Sequence, residues 1–110
     1  MTLNVILMLT TVPDVETADR LAAAALDARV AACATQLGAA RSRYHWQGTV
    51  ESADEVQILF KTSLARADEL EQLIQTHHPY ETPEILSWQV TASNAYGRWV
   101  EAETQRPIHV

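Results

Sequence analysis

Apolar and polar positions along this chain change period from segment to segment, and each change marks an element. Leu3 to Leu9 is a nearly continuous apolar run rich in branched side chains, the pattern of a strand covered on both faces in the middle of a sheet. After Thr10-Thr11-Val12, the pair Pro13-Asp14 gives a helix start: Asp14 can cap free N–H groups and Glu16 suits the positive end. Ala18, Leu21, Ala22, Ala25 and Leu26 then recur at helical spacing, with Glu16, Asp19, Arg20 and Asp27 opposite. That period predicts an amphipathic helix lying on the sheet.

From Ala32 to Gln47 the alanines favour helix, whereas Tyr44, His45 and Trp46 favour strand; most of the stretch reads as strand. Gln47-Gly48 is a turn signal, and beyond it Val56, Ile58 and Phe60 alternate with Gln57, Leu59 and Lys61. The two segments therefore form a long hairpin. Ser63 is the expected cap of a second helix in which Leu70, Leu73, Ile74 and His77 share a stripe, and Pro79 ends it. Leu86, Trp88 and Val90 alternate with Ser87 and Gln89 as a fourth strand. Asn94 is the expected cap of a last helix carrying Tyr96, Trp99 and Val100 on one face, with Trp99 as its anchor. Gln105 to Val110 is expected to fray.

The order βαββαβ plus a C-terminal helix is the split βαβ, ferredoxin-like arrangement of an α+β protein. Its two main helices cover one sheet face and leave the other open while still apolar, so self-association is expected.

Composition narrows the function. The 110 residues fit one compact domain spanning the chain. The formal charge of −6, with Lys and Arg scattered, offers no basic stripe for phosphates, which disfavours nucleic acid. Mild acidity suits cations but is also an ordinary route to solubility. The longest apolar run, Val5 to Leu9, is too short to span a bilayer, and the first residues lack a secretory pattern, so a cytoplasmic location is expected. The single cysteine, Cys33, excludes an internal disulfide and a CxxC pair, in keeping with a reducing compartment.

Glycine occurs only at 38, 48 and 97, so neither a dinucleotide fingerprint nor a P-loop can be written, and HExxH and nucleophile-elbow motifs are absent. The chain does not read as an enzyme. Chemistry concentrates in His77-His78-Pro79-Tyr80-Glu81-Thr82-Pro83-Glu84, where two prolines hold imidazoles, carboxylates and a phenol in an ordered turn. His77 and His78 suit the negative end of the second helix, and His77, continuing the apolar stripe, is expected to be partly buried. Neighbouring helical side chains diverge, so the pair is poorly placed to share one ion. His77 with Glu84 remains a chemically sensible pair for Cu(II) or Zn(II), with further ligands from another subunit. Lys61, at the end of the third strand, reads first as a solvated residue.

Thr10-Thr11-Val12-Pro13-Asp14, Ala31-Ala32-Cys33-Ala34, Tyr44-His45-Trp46-Gln47-Gly48, Lys61-Thr62 and the His77–Glu84 segment together resemble the CutA divalent-cation-tolerance family, in order and over nearly the whole chain. The resemblance implies a ferredoxin-like protomer in a tight homotrimer similar to nitrogen-regulatory PII proteins. It implies a role in tolerance of copper and other divalent metals. Metal sites proposed in the family use a strand-one Cys, a His and a Glu, which match Thr10, His77 and Glu84 here. Loss of that thiol removes the ligand best suited to Cu(I), and Cys33 matches a different family cysteine. The principal expectation is a trimeric metal-responsive protein binding Cu(II) or Zn(II) at His77 and Glu84. The alternative is a PII-like small-molecule sensor or protein scaffold whose inter-subunit clefts are lined by Trp46, Lys61, His78 and Tyr80.

Overall fold

The computed structural model describes residues 2–106. Its elements are β1 (Thr2–Val12), α1 (Val15–Asp27), β2 (Cys33–Trp46), β3 (Thr49–Thr62), α2 (Ala67–His77), β4 (Ile85–Ser93) and α3 (Asn94–Glu103), with one 3₁₀ turn, Leu64–Arg66, before α2. The sheet order is β2-β3-β1-β4, with each neighbouring pair antiparallel. This is the ferredoxin-like order, with the apolar run of β1 at its centre as expected.

Local chemistry explains most boundaries. The Asp14 carboxylate accepts the Thr17 N–H at 2.8 Å and caps α1. Gln47 and Gly48 both take positive φ, 50° and 83°, the geometry that joins strands without splaying them. Two expected caps move. Ser63 precedes the 3₁₀ turn without a capping bond, because its hydroxyl lies 2.9 Å from that of Thr104. At α3 it is the Ser93 hydroxyl, one residue before Asn94, that accepts the Tyr96 N–H at 3.3 Å. The expected fraying of Gln105–Val110 falls mostly outside the described residues.

Register divides the sheet into two faces. Met8, Thr10 and Val12 of β1 join Ile58 and Phe60 of β3 against α1 and α2, forming the main core with Leu21, Leu70 and Ile74. Leu26, assigned to the buried stripe of α1, is 42% exposed instead. The opposite face carries Leu7, Leu9, Leu59, Leu86 and Trp88, paired across β3, β1 and β4. One end of it is covered: Val5, Ala32 and Val100 form a second small core under α3. Gly97 permits this approach, since a Cβ there would sit 2.6 Å from Leu3 Cβ. Val100 is therefore the anchor of α3. Trp99 is 44% exposed and stacks obliquely on Tyr96, with ring centroids 5.7 Å apart.

One irregularity positions the site. The β2–β3 register slips between Gln36 and Gly38, and Gly38 takes φ 106° there. A one-residue slip reverses which side chains share a face. Thr35 pairs with Leu59 before the slip, whereas Ala40, Ser42, Tyr44 and Trp46 occupy that face after it, opposite Glu55, Ala53, Glu51 and Thr49. Without the bulge, Tyr44 and Trp46 would point to the other side.

Candidate functional site

The site is built where α2 ends, and proline sets that end. Pro79 forces His78 out of helical geometry, to φ −77° and ψ 136°. The chain turns, and the His78 ring folds back under it. Nδ1 accepts the Tyr80 N–H at 3.1 Å. A backbone N–H can only donate, so Nδ1 holds a lone pair and Nε2 carries the proton, donating it to the Thr11 carbonyl at 2.7 Å. The ring is 8% exposed and lies 4.8 Å, centroid to centroid, from that of Tyr80. Both nitrogens are thus committed, and His78 fastens the loop to the end of β1.

Fixing the loop places Tyr80. Its hydroxyl donates to Glu55 Oε2 at 2.9 Å, joining the loop to β3. Burial, followed by the hydrogen bond to Glu55 and that residue's negative charge, pushes the phenol up to about 12. At neutral pH Tyr80 is therefore a donor. Between this loop and the projecting β2–β3 hairpin lies an open cavity of about 720 Å³ whose walls include Thr11, Tyr44, Trp46, Glu55, Tyr80 and Glu84. Glu81 adds a third carboxylate to the lining and Arg43 a single guanidinium.

The residues singled out from sequence divide into three groups. Trp46, Tyr80 and Glu84 come together around the cavity. His77 and Lys61 are not in its lining. His77 is exposed at the last position of α2, contrary to the partial burial read from its stripe; Leu70 and Ile74 earlier in that stripe reach the main core and His77 does not. Lys61 reaches Cys33 Sγ at 3.7 Å and the Thr35 hydroxyl. Thr10 is fully buried on the helix-covered face, and its Oγ1 has no hydrogen-bond partner. Among the described residues no three His, Cys, Asp or Glu side chains gather as a metal site would require.

Glu55 was not anticipated. Its one sequence signal is phase: it shares the alternation of Leu59 and Gln57, which puts its carboxylate on the sheet face that α1 and α2 leave uncovered. Tyr44 was read only as a residue that favours strand, and the Gly38 bulge that aims it is invisible to periodicity.

The model of the CutA1 divalent ion tolerance protein family matches residues 6–103. A protein from Citrobacter koseri named divalent-cation tolerance protein CutA is 42% identical over 98 residues, covering 88% of this chain and 85% of its own. An Escherichia coli protein of the same name is 41% identical, covering 88% of both chains. Among solved structures, CutA from Xylella fastidiosa superposes with a TM-score of 0.89 at 34% identity, over 92% of this chain and 98% of its own. CutA from Synechococcus elongatus gives 0.87 at 35% identity, over 96% of each chain.

Proposed function

The chain belongs to the CutA1 divalent ion tolerance protein family, and from that premise we propose that it is a non-enzymatic, cytoplasmic homotrimer that binds Cu(II) or Zn(II) between subunits. One observation carries this reading: the cavity opens at the end of the uncovered apolar face. Tyr44 and Trp46 share that face with Leu59, Leu7 and Trp88, so a second copy packed on the apolar residues would also wall the cavity. Exposed large side chains such as Leu86 (53%) and Trp88 (43%) favour such packing. Among the described residues no three such donors gather in one chain, so an ion held by His77 and Glu84 would draw its remaining ligands from a second copy.

Two measurements test it. Trp88→Glu places a charge in the apolar face and is expected to convert the assembly to monomers by light scattering, with the helix and strand content kept. Titration of Cu(II) and Zn(II) into metal-free protein by calorimetry should give saturable binding at an integer number per trimer, lost in His77→Ala and Glu84→Ala. Equal, weak binding by all three proteins would overturn the metal site.

The aromatic walls favour a second reading, a PII-like sensor of a small molecule, in which Trp46 and Tyr80 line the cleft. His78 would then be the clasp of its loop, and Lys61 would contribute only through a neighbouring subunit.

A further inference from the structure

Glu55 carries a carboxylate that the described residues leave half-partnered. The residue is 7% exposed. Its Oε2 accepts the Tyr80 hydroxyl, while Oε1 has no hydrogen-bond or ion-pair partner among the described residues. That oxygen is not sealed in the interior, and Glu55 lines the cavity, so Oε1 opens into it. A carboxylate with so little exposed surface is best matched by an opposite charge or several donors. Arg41, on the neighbouring strand, is engaged with Asp54 at 3.0 Å, and Arg43 makes no ion pair with Glu55. Glu81 and Glu84 deepen the negative potential of the same space. A cation that carries N–H donors would meet both requirements.

The walls select which kind. Tyr44, Trp46 and Tyr80 line the cavity, and aromatic faces attract ammonium and guanidinium groups, whereas His45, Glu55, Glu81 and Glu84 of the same lining do not gather in threes as a metal ion would require. The volume of about 720 Å³ suits a small organic molecule and far exceeds a bare ion. Tyr80, held protonated, donates to Oε2 and so leaves Oε1 as the oxygen available to a ligand.

We propose that this cavity binds an organic cation bearing at least one N–H, a primary or secondary ammonium or a guanidinium, which donates to Glu55 Oε1 and packs its body on Trp46 and Tyr44. The site goes beyond the metal reading: it uses Glu55 and the aromatic walls, not His77 with Glu84. The two readings can therefore fail separately.

The test is titration of putrescine and of agmatine into the assembled protein, followed by calorimetry and Trp fluorescence, beside a butanediol of the same chain length as putrescine. Saturable binding of at least one cation and none of the diol is expected. Glu55→Gln, which keeps the shape and can still accept from Tyr80, should weaken binding by about tenfold or more. Trp46→Leu should weaken it by about threefold or more, and His77→Ala should leave it unchanged. Binding of the diol as tight as that of the amines, undiminished affinity in Glu55→Gln, or no saturation by either cation would overturn the proposal. If Glu55→Gln does not fold, Trp46→Leu and the diol comparison decide: unchanged affinity in Trp46→Leu would then count against it.

Discussion

Leu59 and Phe60 are chain neighbours with opposite fates. Phe60 is fully buried beneath α1 and α2 among Met8, Val12 and Ile58, whereas Leu59 is only partly covered, beside Leu9 and near Trp88, on the face that α3 closes at one end. The same alternation that builds a core on one side builds an apolar surface on the other. The difference shows that hydrophobicity along a strand specifies which faces must be covered, without specifying by what. Helices of the same chain answer for one face, and the proposed trimer contacts answer for the other.

Replacing these two neighbours by alanine sharpens the contrast. Phe60→Ala should cost about 3–5 kcal/mol at any protein concentration, since its cavity lies inside one chain. Leu59→Ala should cost about 2–5 kcal/mol if a neighbouring copy buries it, and the midpoint of unfolding should then depend on concentration. Chemical denaturation at several protein concentrations distinguishes these outcomes. A Leu59→Ala cost below about 0.5 kcal/mol with no concentration dependence would mean that the open face stays open.

Thr10 breaks the pattern from inside the covered face, with a smaller effect. It is a polar residue at zero exposure with an unpartnered hydroxyl. Thr10→Val keeps the shape and removes the stranded group, so a gain of about 1 kcal/mol is expected in the same denaturation experiment. Family resemblance matches Thr10 to a ligand position, yet register buries it against Ile85 and beneath the helices. Thr10→Val should accordingly leave Cu(II) and Zn(II) binding unchanged.

These cases also mark what sequence could and could not reveal. Periodicity and residue preference located the four strands and three α-helices, though not the 3₁₀ turn Leu64–Arg66, and the Asp14 cap, the Gln47-Gly48 turn and the Pro79 stop were legible because each depends on residues a few positions apart. Ser63 was misread as a cap because its hydroxyl is engaged by Thr104, and Asn94 because Ser93, one residue earlier, accepts the Tyr96 N–H instead. The site was half legible. Pro79 and Pro83 announced an ordered loop, and Tyr80, Trp46 and Glu84 do meet there. His77 and His78 are adjacent in sequence, but His77, the last residue of α2, is exposed and His78, one past it, is clasped to Thr11. Glu55 and Tyr44 needed the strand register and its slip at Gly38, which arises from pairing between segments distant in sequence.

A pH-dependent effect lies where the two regions touch, at the bond between Tyr80 of the loop and Glu55 of the sheet. Tyr80 titrates at about 12 in the folded protein against an ordinary value of 10.0, so its raised value belongs to the folded state. The unfolded chain then binds fewer protons than the folded one above the ordinary value, and stability falls with rising pH. Its contribution is fully present below 10.0 and is lost as pH climbs through about 12. Tyr96 is also raised, chiefly by burial and then by Cys33, and adds to the same slope. Tyr80→Phe should flatten the alkaline loss of stability between about pH 10 and about pH 12, and Tyr96→Phe should flatten it less, because only Tyr80 holds a carboxylate. Denaturation midpoints across that range, with spectroscopic titration of the phenols, provide the measurement. Equal flattening by the two variants would show that burial alone, and not the link between loop and sheet, sets the phenol.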